Sequence, residues 1–146
     1  MTGVLLAVLV STGAEEAGCA PPAEGGAVNG DKGQACRYIM HFPYVERGKI
    51  VGQVDVTCYE AVLRQSLTVI VERKQADGWV EVDRDAFDKA PAKGVTKQSK
   101  LAVPCTPGAY RTRYHATVEA LKEPDGMADK GGGYSPTAVI SKEQCA

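Results

Sequence analysis

Residues 49–83 read KIVGQVDVTCYEAVLRQSLTVIVERKQADGWVEVD. Val54, Val56 and Cys58 alternate with Gln53, Asp55 and Thr57, the two-residue period of a strand with one buried face. Leu67, Val69 and Val71 repeat the pattern against Thr68, Ile70 and Glu72. Ala76-Asp77-Gly78 is a turn that returns the chain into Trp79, Val80 and Val82. Three successive strands with turns between them predict a β-meander.

Outward from this stretch the same period recurs. Residues 109–121 carry the longest alternation, with Tyr110, Thr112, Tyr114, Ala116, Val118 and Ala120 on a face that should be buried. Arg111, Arg113, His115, Thr117 and Glu119 lie on a face that should be wet. Residues 37–42 form a first strand ending at Pro43, and Val45-Glu46-Arg47-Gly48 turns it into the strand ending at Cys58. Residues 59–66 have some helical propensity and predict a connection with one helical turn. Residues 85–100 read as a long exposed loop with a short edge strand, followed by a strand over 100–103. Glu123-Pro124-Asp125-Gly126 is a turn that Gly131-Gly132-Gly133 extends into a flexible loop, and residues 137–142 form the last strand, delivering Cys145. About seven short strands in an all-β chain predict a β-sandwich.

The chain has 146 residues, 44% apolar and 24% charged, which suits one globular domain. With two Phe and one Trp, its core rests on Val, Leu, Ile and Tyr. A net charge of -1 argues against nucleic acid or an anionic membrane surface as a partner held by bulk electrostatics.

Gly3-Val4-Leu5-Leu6-Ala7-Val8-Leu9-Val10 is a short apolar run followed by small residues, which reads as the core of a secretory signal over residues 1–20 and is too short to span a bilayer. Its basic flank is missing, since no Lys or Arg precedes Lys32. Ala17-Gly18-Cys19 matches the end of a bacterial lipobox, although Glu16 stands where an aliphatic residue belongs. Lipidation of Cys19 is therefore the only route to a membrane, against a Cys19 lost with the signal. Residues 21–35, rich in Gly, read as a flexible linker to a domain over 36–146. The expected location is extracellular, soluble or tethered at the cell surface.

Setting Cys19 aside, four cysteines allow three pairings. In an antiparallel hairpin, paired positions have a constant sum. Cys36 and Cys58 are centred on Arg47, and Cys105 and Cys145 on Asp125, both at turns, which favours Cys36–Cys58 and Cys105–Cys145. The competing Cys58–Cys105 pair would be an inter-sheet bridge, which usually lies mid-strand beside a core Trp. Zinc is the other use of four cysteines, but no CxxC spacing occurs.

A Cys before the first strand, GKIVGQVDVTC, a Leu-bearing strand ending in basic residues, CTPGAYRTRYHATV and a terminal Cys together resemble small secreted four-cysteine proteins of actinobacteria. The resemblance covers residues 36–145, and its most specific piece is Cys105-Thr106-Pro107-Gly108-Ala109-Tyr110-Arg111. It implies an immunoglobulin-like sandwich and export, and it leaves function open.

Few residues suggest chemistry. Arg111, Arg113 and His115 at same-face spacing form either a cationic patch for an acidic ligand or a solvated face that discourages edge pairing. Trp79, which opens a strand after a turn Gly, either stacks on a ligand or caps the core. His41 alternates with Met40 and Phe42 and packs at a strand edge. Residues 83–88 imitate an acidic calcium loop but lack Gly at its sixth position and Glu at its twelfth, where Gly94 stands. The glycine triplet is not a phosphate loop and no GxSxG elbow occurs. These observations predict no catalysis, no metal and no cofactor. They predict a secreted binding module for an extracellular protein or cell-wall ligand. The alternative is an inhibitor of an extracellular hydrolase, using residues 106–108 or the 85–100 loop.

Overall fold

Both edges of the strand Lys49–Cys58 are occupied. The computed structural model, which describes residues 23–24, 35–120 and 128–146, has strands β1 (Ala23–Glu24), β2 (Cys36–Met40), β3 (Tyr44–Glu46), β4 (Lys49–Cys58), β5 (Val62–Gln75), β6 (Gly78–Ala86), β7 (Thr96–Pro104), β8 (Gly108–Ala120), β9 (Ala128–Tyr134) and β10 (Ala138–Ile140), then a helical turn α1 (Lys142–Cys145). On one edge of β4 lie β2 and β3, on the other β7, all antiparallel. In the second sheet β8 pairs with β5 on one edge and with β9 and β10 on the other, and β6 pairs with the far edge of β5.

β4 and β5 therefore belong to different sheets, and the meander expected over residues 49–83 does not form. Only β5 and β6 are a hairpin, joined through Ala76-Asp77. Tyr59-Glu60-Ala61 carries the chain across without a helical turn, Tyr59 N–H donating to the Ala35 carbonyl.

Nine strands have three residues or more, where about seven were expected. Two runs are each cut by a proline, which has no N–H to give a ladder. Pro43 separates β2 from β3 as they pass along one edge of β4. Pro136 separates β9 from β10 along one edge of β8, and Ser135 spans that break: its N–H donates to Thr112 O, and its hydroxyl accepts from Thr112 N–H. The glycine triplet is not a loop, because Gly131, Gly132 and Gly133 are paired within β9. β6 continues to Ala86 and β7 begins at Thr96, so the exposed loop expected over 85–100 shrinks to the residues between them.

Arg47 and Gly48 both have positive φ, 53° and 75°, as a two-residue type I′ hairpin requires between β3 and β4. Their turn pairs Glu46 with Lys49; across the break at Pro43 the register on β4 shifts by one residue, which puts Cys36 opposite Cys58, and those two cysteines form a disulfide with Cα atoms 3.9 Å apart. Cys105, between β7 and β8, is bridged to Cys145 in α1. A capping box on Ser141 and Gln144 fixes that helical turn.

The inner faces pack Tyr38, Met40, Ile50, Val54 and Val56 against Leu67, Val69, Val71, Tyr110 and Tyr114, all essentially inaccessible. Tyr38 of β2 and Tyr114 of β8 stack across the interface with ring centroids 5.1 Å apart. The sheets approach closely at Gly52, where a Cβ would lie 2.7 Å from Val71 Cγ2 and 3.3 Å from Thr112 Oγ1. Tyr110 OH donates to the carbonyl of Thr106, 2.7 Å away and four residues upstream, closing the corner between β7 and β8.

The signal segment, Cys19, most of the linker and the turn at Pro124-Asp125-Gly126 lie outside the described residues. Within the stretch read as a linker, Ala23 and Glu24 pair with Met40 and Ile39 of β2, and Ala35 is buried. No helix among the described residues is long and apolar enough to cross a membrane.

Candidate functional site

On the outer face of the second sheet, alternation turns Arg111, Arg113 and His115 of β8 away from the core, because Tyr110, Thr112 and Tyr114 point inward. Neighbouring strands bring their own outward residues alongside. Glu72 of β5 is directly across from Arg111, Lys74 across from Trp79 of β6, and Tyr134 of β9 across from Arg113.

These side chains make one connected array. The Arg111 guanidinium lies 4.3 Å from the centre of the Trp79 ring and 4.0 Å from that of Tyr134, so it is held between two aromatic side chains. Its Nε donates to Glu72 Oε1 at 2.6 Å. Arg113 donates to the other carboxylate oxygen of Glu72 at 3.1 Å. Glu72 is only 4% exposed, which a carboxylate tolerates because both oxygens have cationic donors. Lys74 approaches the Trp79 ring at 5.8 Å. Along the same face Arg84 donates to Glu81 at 2.9 Å and holds its carboxyl below the usual carboxylate range, with Arg113 adding to the effect.

Trp79 is thus part of the outer surface and does not cap the core. Of the four patch residues expected from the sequence, Arg111, Arg113 and Trp79 converge. His115 lies one outward position further along β8, facing Gly132 and exposed, outside the stack. Two members were missed. Alternation marks Glu72 only as a polar position of a strand, although its place directly after the apolar run Val69-Ile70-Val71 is a signal. Tyr134 follows the glycine triplet, and reading that triplet as a loop hid the strand that positions it.

The opposite outer face carries a second polar group. His41 Nε2 lies 2.9 Å from Asp55 Oδ2, and Gln53, 4% exposed, donates to Asp55 Oδ1 at 2.7 Å and accepts from the Tyr44 hydroxyl. Burial pushes the Tyr44 phenol above its ordinary value, with Lys100 opposing. The groups around His41 are a carboxylate, an amide and a phenol, and their polar atoms are paired with one another.

A shallow cleft of about 250 Å³ lies further along the outer face of the second sheet, between Arg64, Ser66, Asp88 and Glu119. Its walls are tied to each other, Arg64 to Glu119 at 3.2 Å and Ser66 to Asp88 at 3.0 Å. The corner at Thr106-Pro107-Gly108 is also fixed: Arg73 donates to the Pro107 carbonyl at 2.7 Å and its guanidinium lies against Gly108, where a Cβ would come 2.8 Å from Arg73 Nε. Among the described residues, no group of three or more His, Cys, Asp or Glu side chains is placed to hold a metal ion.

Comparison with protein-family models, with curated proteins and with solved structures finds no match for this chain.

Proposed function

We propose that this chain is a secreted or surface-tethered binding module without catalytic activity, built on an immunoglobulin-like sandwich of the kind found in small four-cysteine actinobacterial proteins. The observation that carries the binding assignment is the Trp79–Arg111–Tyr134 stack locked by buried Glu72. Ordering long side chains on a solvent-facing sheet costs conformational entropy. An array already ordered by stacking and charge-assisted hydrogen bonds meets a ligand with that cost largely met, which is how preorganised sites gain affinity. Export is supported by the two disulfides, which persist in oxidising compartments.

Support for the immunoglobulin-like reading comes from strand order. Leaving aside the two-residue β1, β2/β3, β4 and β7 face β6, β5, β8 and β9/β10, a three-on-four arrangement in which the chain crosses between sheets from β4 to β5, from β6 to β7 and from β7 to β8. The Tyr110–Thr106 bond has the form of the tyrosine corner of such domains. Where that corner is normally followed by an inter-sheet cysteine two residues on, this chain has Thr112 against Gly52.

The hydrolase-inhibitor alternative is less favoured. Both carbonyls of the 106–107 corner already accept from Tyr110 and Arg73. An inhibitory loop needs its backbone free for the target's cleft.

Trp79 is the only tryptophan, so its emission reports on the array directly. Titration with solubilised cell-envelope fractions should perturb that emission, and Arg111→Ala should abolish the response. Binding that persists unchanged in Arg111→Ala would place the ligand site elsewhere and remove the basis of the proposal.

A further inference from the structure

We infer that the ligand of this face is a linear anionic polysaccharide, laid along β8 and β9 with an acidic sugar against Tyr134. The inference rests on the binding role proposed above and names its ligand class.

Charge balance comes first. Glu72, Glu81 and Glu119 on this face are already engaged by Arg111, Arg84 and Arg64, and Asp88 accepts from the Ser66 hydroxyl, which leaves four acidic groups against Arg64, Arg84, Arg111, Arg113, Lys74 and Lys130. Lys74 and Lys130 make no ion pair among the described residues, and Arg113, half-exposed, shares a carboxylate that Arg111 already neutralises. A chain of net charge -1 therefore presents surplus positive charge on one face.

Shape comes second. The outward positions of β9 are Lys130, Gly132 and Tyr134, opposite Thr117, His115 and Arg113 of β8. Successive outward positions are about 7 Å apart, so two rows of outward positions run parallel for two such steps. Gly132 leaves a gap in the β9 row between a lysine and a tyrosine. A Cβ there would sit 2.9 Å from the Tyr114 carbonyl and 3.5 Å from His115 Nδ1. Glycine thus lets β9 pack closely and keeps His115 uncovered. Tyr134 is 55% exposed although it stacks on Arg111, so much of its ring is open to a sugar. A shallow strip with Lys130 at one end, the uncovered His115 in the middle, and Arg113 with the Tyr134 ring at the other suits an extended polyanion with ring-shaped repeats.

The test uses the full domain with both disulfides formed. Polygalacturonate and a neutral dextran of similar length are titrated while Trp79 emission is followed. The polyuronate should bind and the dextran should not, with affinity falling as salt rises. Lys130→Glu should weaken binding by about fivefold, the worth of one exposed ion pair, without changing thermal stability. Tyr134→Ala should weaken it by about tenfold, and a circular-dichroism melt checks that this variant folds. Binding of acidic peptides in preference to polyuronate, through Trp79 and Arg111, would overturn the polysaccharide inference and leave the binding role standing. Equal binding of the polyuronate by wild type, Lys130→Glu and Tyr134→Ala would overturn it as well. No response of Trp79 to any envelope fraction, polyanion or peptide would overturn both.

Discussion

Arg111 Nε and Glu72 Oε1 are 2.6 Å apart across the β5–β8 ladder, with the carboxylate almost wholly withdrawn from water and the guanidinium between two aromatic rings. Neither charge is tolerable there alone. Replacing Glu72 by Gln leaves Arg111 and Arg113 facing each other with no counter-charge, which should cost about 3 kcal/mol. Urea unfolding of the variant measures the loss. A midpoint equal to wild type would mean that water already screens the triad.

Gly52 sets how closely the two sheets approach. Alanine would push into Val71 Cγ2 from 2.7 Å, and overpacking of this kind costs about 1–3 kcal/mol. Shortening the neighbour should relieve it, so Gly52→Ala with Val71→Ala should lose less than the sum of the two single variants. Strict additivity in that double-mutant cycle would refute the contact.

The two bridges should differ in lability. Cys36 and Cys58 are inaccessible, whereas Cys105 and Cys145 are half-buried. Mild reduction with alkylation and peptide mapping should open Cys105–Cys145 first. Removing the bridges separately should cost about 3 kcal/mol for the loop of sequence separation 22 and about 4 kcal/mol for that of 40.

Alkaline stability follows from the stacked core tyrosines. Burial pushes the Tyr114 hydroxyl up to about 12, and burial followed by the proximity of Tyr114 raises Tyr38 as well. In the unfolded chain both ionise near about 10. Below that value their contribution is fully present. Above it the unfolded chain releases protons that the folded chain retains, so stability should fall by about 1.4 kcal/mol per pH unit for each tyrosine until the folded group ionises. Denaturant titrations between pH 9 and about 12 read this slope. Among the described residues the Tyr38 hydroxyl has no hydrogen-bond partner, so Tyr38→Phe should flatten the slope without lowering stability at neutral pH. An unchanged slope in that variant would assign the alkaline transition to other groups.

The corner at Tyr110 gives a smaller effect. Tyr110→Phe removes the bond to the Thr106 carbonyl and should cost about 1 kcal/mol. Thermal unfolding of the variant against wild type is sufficient to measure it.

The sequence by itself determined which face of each long strand meets the core. Tyr110, Thr112 and Tyr114 on β8, and Leu67, Val69 and Val71 on β5, are buried where their alternation puts them, because a period of two leaves no other way to hide the apolar row. It also determined the Arg47-Gly48 hairpin, since a two-residue turn fixes the register of the strands it joins. Alternation does not say which strand lies at an edge, because neither edge leaves a mark in the local pattern. β4 and β5 looked like neighbours and lie in opposite sheets, since β2, β3 and β7 had already taken both edges of β4. Gly131-Gly132-Gly133 looked like a loop and is strand, because pairing with β8 supplies the order its own composition lacks. The candidate site belongs to the same category. Glu72, Trp79, Arg111 and Tyr134 come from four strands and meet only through cross-strand register, so tertiary structure alone decided that a buried carboxylate and two aromatic rings would enclose one arginine.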